Sequence, residues 1–168
     1  LRERGWGEGK RYYELGKSFL MPRPILALID PAAIRHNLSV AQQYARGRKV
    51  WAVIKANAYG HGIERVLPAL DTADGVALLD LNEAQRVRDQ GWRKPILLLE
   101  GFFAPADLAL VTALQLTPVL HHSAQIEMLA RHALQAPLEV YVKLNTGMNR
   151  LGLEVDELAP ALQRLQSI

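Results

Sequence analysis

No cysteine occurs in the 168 residues. That excludes disulfide frameworks and sites in which thiolates ligate zinc or an iron–sulfur cluster. No apolar run approaches the ~20 residues a membrane-spanning helix needs. The opening stretch LRERGWGEGKRYYELGKSFL also lacks the roughly 7–15-residue apolar core of a secretory signal. There is no Walker loop, GxGxxG fingerprint, GxSxG elbow or HExxH motif. Excess charge is small as well. The formal net charge is +3, and residues 1–20, with five basic side chains against three acidic, hold +2 of it. An even balance over residues 21–168 does not point to nucleic acid. A soluble, cytoplasmic protein with neither a nucleic-acid nor a membrane partner is the expectation.

Hydrophobic residues make up 49% of the chain, enough for a substantial core. Short apolar runs alternate with amphipathic ones from Pro24 onward. Strands are expected over PILALID (24–30), KVWAVIKA (49–56), GVALLD (75–80), PILLLE (95–100), TPVLHH (117–122) and LEVYVKLN (138–145). Helices are expected over 31–46, 63–71, 82–91, 105–114, 123–135 and from about 156, with Pro31, Pro105 and Ser123 as start signals. Runs such as VWAVI and ILLL show no polar alternation, as expected of parallel strands covered on both faces. Strand–helix repetition of this kind gives the α/β class with a parallel sheet. The pattern does not separate an open sheet from a barrel, but a complete eight-stranded α/β barrel needs at least ~200 residues. The last helical stretch, VDELAPALQRLQSI, ends without a C-cap signal or a following strand, so a chain cut short is expected. Residues 1–20 are expected to be a disordered or non-native extension, and residues 21–168 the domain.

Two lysine-bearing strand ends carry the chemistry. In VWAVIKANAYGHG (50–62), Lys55 closes an apolar run and faces a loop built from Asn57, Tyr59, Gly60, His61 and Gly62. Reactive groups gather at the carboxyl ends of parallel strands. A half-buried amine there has its charged form disfavoured, which suits it to Schiff-base chemistry with a carbonyl. Position alone favours a lysine that merely reaches solvent. Its neighbours shift the balance, because Gly60 and Gly62 permit close backbone approach and Tyr59 offers a hydroxyl to a phosphate oxygen. His61 reads as a turn histidine satisfied by backbone. In VKLNTGMNRLG (142–152), alternation turns Lys143 toward the sheet interior, and Arg150 lies past the Gly147 turn with a fork suited to a carboxylate. An ordinary connection with a solvated arginine fits that segment equally well. Asp30, Asp80 and Glu83 offer acid–base groups but also fit strand ends and helix starts. His121 and His122 have no carboxylate at ligand spacing, so no metal site is expected.

AVIKANAYGHG resembles the pyridoxal-phosphate attachment motif of alanine racemases, and VKLNTGMNRLG is similar to that family's second signature. LIDPAAIRHNL, DGVALLDLNEA and PILLLEGFF extend the likeness over residues 24–165. The resemblance implies an N-terminal fragment of a fold type III pyridoxal-phosphate enzyme: a partial (β/α)8 TIM-like barrel with about five of its eight strands, the C-terminal β domain absent. PILALID would then lie outside the barrel. Lys55 would hold pyridoxal 5'-phosphate covalently and act as one of two catalytic bases exchanging the α-proton between L- and D-alanine. Tyr59 would contact the cofactor phosphate and Leu99 would line the cofactor pocket. Lys143 matches a position that is often carbamylated, and Arg150 would act in catalysis and substrate binding beside the carboxylate. The family's second base is a tyrosine of the partner subunit in a homodimer, and none of Tyr12, Tyr13, Tyr44, Tyr59 and Tyr141 matches it. Its D-alanine serves bacterial cell-wall peptidoglycan or alanine catabolism. The chain alone is therefore expected to be poorly stable and inactive as an isomerase. The alternatives are a non-catalytic cofactor-binding remnant, or a racemase of broader amino-acid or serine range.

Overall fold

The computed structural model describes residues 2–5, 11–14, 26–132 and 136–168. Five parallel strands, β3 (Trp51–Val53), β4 (Gly75–Leu78), β5 (Ile96–Leu98), β6 (Thr117–Leu120) and β7 (Tyr141–Val142), form one sheet in sequence order. The described helices that connect and flank them are α1 (Pro31–Tyr44), α3 (Ile63–Val66), α4 (Leu81–Asp89), α5 (Asp107–Ala113), α6 (Ser123–Arg131) and α7 (Leu158–Gln166). A separate antiparallel ribbon pairs β1 (Arg2–Gly5) with β2 (Arg11–Glu14). The rest of the extension expected over 1–20 lies outside the described residues.

Register fixes which face each side chain takes. Trp51 pairs with Gly75 and Val53 with Ala77, while Val76 pairs with Ile96 and Leu78 with Leu98. Side chains alternate along a strand, so Val76, Leu78, Ile96, Leu98 and Leu120 share the helix-covered face, where each is fully buried. Trp51, Val53, Gly75, Ala77, Val119 and Tyr141 take the other face. There the Trp51 ring meets the Tyr141 ring edge-on with centroids 6.5 Å apart. These rings come from the two outer strands, four spacings apart, or ~19 Å along a flat sheet. The sheet therefore curls into an arc, part of an α/β barrel with Trp51 and Tyr141 meeting inside it. Gly75 makes room for this: a Cβ there would lie 2.5 Å from the indole. The open ends of the arc leave Val53 42% and Tyr141 45% exposed.

Local signals explain the helix starts, with corrections. Asp30 caps α1, its Oδ1 accepting from Ala32 N (2.8 Å) and Ala33 N (3.3 Å) ahead of Pro31. Asp80 caps α4 in the same way, accepting from Asn82 N (2.8 Å) and Glu83 N (3.1 Å). Both carboxylates are thereby committed to backbone. Ser123 is not the cap of α6; His122 is, its Nδ1 accepting from Ala124 N at 3.0 Å. The strand expected over 24–30 does not form across the described residues 26–30. An isolated strand has no partner for its backbone groups, and Leu26 and Leu28 stand exposed.

Candidate functional site at the carboxyl edge of the arc

The strand expected to end in Lys55 stops earlier. β3 ends at Val53, and Ile54 adds one more ladder bond, its N–H donating to Ala77 O at 2.8 Å. Lys55 is half-buried and opens α2 (Lys55–Tyr59), a turn that is helical but left-handed. Ala56, Asn57, Ala58 and Tyr59 all have φ of 52–54°. L-residues avoid this region because Cβ crowds the following carbonyl, at roughly 1–2 kcal/mol per residue. Gly60 (φ 85°) and Gly62 (φ 93°) then release the chain into α3.

Asn57 is the hub of this turn. Its Oδ1 accepts from Ile63 N (3.2 Å) and Arg86 Nη2 (3.0 Å), and its O accepts from Gly62 N (2.9 Å). Its own N–H donates to Glu83 Oε1 at 2.5 Å. Arg86 is held in turn by Glu64, with Nε to Oε1 at 2.9 Å and Nη2 to Oε2 at 2.8 Å. Backbone hydrogen bonding at Glu64, followed by the Arg86 guanidinium, keeps the Glu64 carboxyl below its usual range. His61 Nδ1 donates to Ala58 O at 2.8 Å, as a turn histidine satisfied by backbone should.

Leu99 follows β5 and is half-buried, its N–H donating to Leu78 O at 2.9 Å. The next strand end is tied down by Gln125, 4% exposed, whose Nε2 donates to Glu100 O (3.0 Å) and Phe102 O (3.1 Å). Its Oε1 accepts from His121 N at 2.9 Å, and His121 Nε2 donates to Glu100 O at 3.1 Å. These histidines are structural. Among the described residues no three metal-ligating side chains gather.

The second signature forms a loop closed on itself. Lys143 N donates to Leu120 O (2.8 Å) and extends the β6–β7 ladder, and Leu153 N returns to Lys143 O (2.8 Å). Asn145 fills the loop. Its Oδ1 accepts from Gly147 N and Asn149 N, both 3.1 Å, and its Nδ2 donates to Asn149 Oδ1 (2.8 Å) and Glu154 Oε1 (2.9 Å). Gly147, Asn149 and Gly152 have positive φ. Lys143 is half-buried, and Arg150 is exposed on the loop.

Lys55, Leu99 and Lys143 thus stand at the carboxyl ends of β3, β5 and β7, with Tyr59 and Arg150 in the turns that follow. Among the described residues, the side chains of Lys55, Tyr59, Lys143 and Arg150 are not engaged in hydrogen bonds or ion pairs. A half-buried amine, with a phenol four residues on, is a pair of side-chain types suited to an aromatic aldehyde that carries a phosphate. Of the supporting residues, Arg86, Asn145 and Gln125 had no assigned role in the sequence, and Asn57 read only as part of the loop. Glu83, read as an acid–base group or a first-turn residue, instead accepts from the Asn57 N–H. Only the i, i+3 spacing of Glu83 and Arg86, placing both on one helix face, marks a pair.

The family described as alanine racemase, N-terminal domain, matches residues 29–168. An alanine racemase of Leptothrix cholodnii is 57% identical over 148 residues, covering 88% of this chain and 39% of that protein. The biosynthetic alanine racemase of Pseudomonas aeruginosa superposes with a TM-score of 0.79 at 42% identity, over 83% of this chain and 39% of that one. Alanine racemase from Bartonella henselae, solved with covalently bound pyridoxal phosphate, gives 0.72 at 28% identity, over 80% and 40%. A histidine racemase from Leuconostoc mesenteroides gives 0.70 at 30% identity, over 82% and 38%. The chain spans about two fifths of the length of the curated relatives it matches. By the match over residues 29–168 and these likenesses, it belongs to the alanine racemase N-terminal domain family.

Proposed function

We propose that this chain is the cofactor-bearing part of a pyridoxal-phosphate-dependent alanine racemase, interconverting L- and D-alanine by exchange of the α-proton between two bases. The observation that carries the reading is a half-buried Lys55, its amine without a partner among the described residues, opening a left-handed turn at the carboxyl edge of a parallel arc, with Tyr59 four residues on. In this reading Lys55 holds the cofactor and takes or returns the α-proton on one face. Tyr59 donates its hydroxyl to the phosphate, and Leu99 walls the ring. Arg150 faces the substrate carboxylate, and Lys143, if carbamylated, becomes an anion that orients the Arg150 guanidinium. When bound, the cofactor supplies a sink for the electron pair left by the departing proton. The opposite base is a tyrosine of the partner subunit in a homodimer.

A second reading, a racemase of another amino acid, is favoured by the histidine racemase that shares this arc at 30% identity. Alanine remains the leading substrate because the most similar relatives carry that name. One experiment tests the proposal. The full-length protein is loaded with pyridoxal phosphate, reduced with borohydride and digested, and exchange of the α-proton of alanine, serine and histidine is followed in deuterated water. A pyridoxyl adduct on the Lys55 peptide with fastest exchange of alanine is expected. An adduct elsewhere, or none, overturns the role of Lys55, and faster exchange of another amino acid overturns the substrate.

A further inference from the structure

We propose that Glu83 and Arg86 of α4 are positioning residues for Lys55: they clamp Asn57 and so hold the left-handed turn that presents the lysine. The inference rests on the reading of Lys55 given above. Four consecutive residues with side chains at positive φ do not persist unless their surroundings over-determine them. Hydrogen bonds inside the turn, such as Ala58 N to Ile54 O at 2.9 Å and Gly60 N to Ala56 O at 3.0 Å, follow the i to i+4 pattern of a right-handed helix as well. They do not choose the hand.

The choice comes from outside. Glu83 takes the backbone N–H of Asn57 and Arg86 takes its side-chain oxygen, across 26 and 29 residues of sequence. Glu83 and Arg86 lie three residues apart on one face of a helix whose Ala84 and Val87 are fully buried. The start of that helix is fixed by the Asp80 cap. Glu64, from the helix that follows the turn, locks the Arg86 guanidinium at two points. One further observation separates this clamp from ordinary packing. Among the described residues, Glu83 Oε2 is buried and accepts no hydrogen bond from the protein. A buried polar atom left unpaired is a net cost to the fold, and such costs gather where geometry serves a site.

The test uses the full-length protein loaded with pyridoxal phosphate. It reads the visible band of the lysine-bound cofactor, the borohydride-trapped fraction at Lys55, and kcat and KM for alanine. Glu83→Ala is expected to lower trapping and kcat on the order of 10–100-fold with KM within about threefold, the size of effect seen when a supporting residue of a site is lost. Glu83→Gln keeps an acceptor oxygen and is expected to stay within about fivefold of the parent. Adding Ala56→Gly to Glu83→Ala is expected to recover at least about half of the trapping, because glycine takes positive φ readily and Ala56 is exposed. If Glu83→Ala alone yields no soluble protein, the same glycine is expected to restore folding and trapping together. Parent-like trapping in Glu83→Ala, or a defect that glycine leaves untouched, overturns the clamp. A parent protein that traps no cofactor at Lys55 overturns the attachment reading instead, and is told apart because the unmutated protein already fails.

Discussion

After β3, four residues with side chains take positive φ; after β7, the same region of backbone space is taken by Gly147, Asn149 and Gly152. The first turn, besides the local bonds of Asn57 to Gly62 and Ile63, is held from outside by a helix, through Glu83 and Arg86. The second is held from within, by one asparagine that uses all four of its hydrogen-bonding sites on its own loop. Both stand beside a basic side chain at the carboxyl edge of the arc. The first arrangement ties the turn to the position of α4, whereas the bonds of the second stay within the connection between β7 and α7.

The sharpest way to break this comparison is to remove the group that the first turn presents. Lys55→Ala in the full-length protein is expected to abolish borohydride trapping and to slow α-proton exchange by at least about 10²–10⁴-fold, whereas Lys143→Ala should leave trapping at Lys55 intact. Exchanging glycine in opposite directions comes next. Gly152→Ala would place its Cβ 2.4 Å from Asn145 N at φ 127°, and should cost about 2–4 kcal/mol, read as a lower urea midpoint. Ala56→Gly in the left-handed turn should do the reverse, raising stability by about 0.5–1 kcal/mol, the balance of relieved crowding against lost chain entropy. Acid should give the smallest effect. The folded Glu64 carboxyl titrates below its usual value of 4.5, so its contribution is complete above that value and fades as pH falls through the lowered one. The pair is exposed and worth at most about 1 kcal/mol. Hydrogen exchange at residues 57–63 should therefore be unchanged from pH 7 to 5.5, once corrected for intrinsic rates, and lose protection only at pH below the usual carboxylate value of 4.5.

Much of this was legible in the residues. Asp30 followed by Pro31, and Asp80 three residues before Glu83, are capping signals confined to one helical turn, and both helices begin where those signals stand. The unalternating runs read correctly as strands, but VWAVI is not covered on both faces: Val53 stands 42% exposed at the open end of the arc. It is β4 whose register buries Val76 and Leu78 on one side and Gly75 and Ala77 on the other. Residues 26–30 of the expected strand PILALID form none, for a plain reason: composition marks β-propensity, but a strand exists only where another backbone answers it. The lysine stood out from its chemistry, while the hand of the turn beneath it did not. Ala, Asn, Ala and Tyr carry no preference for positive φ apart from the mild one of asparagine.

By itself, then, the sequence determined what interactions within about four residues can encode: the alternation of elements, the Asp30 and Asp80 caps, the glycines that end each turn, and the two lysine-bearing segments. The tertiary structure decided the curl that brings Trp51 to Tyr141, the left-handed path from Lys55 to Tyr59, and the meeting of Asn57 with Glu83 and Arg86. Those contacts join residues 26 to 90 positions apart, and they exist only because the strand register sets α4 beside the turn and bends the sheet across its own inner face.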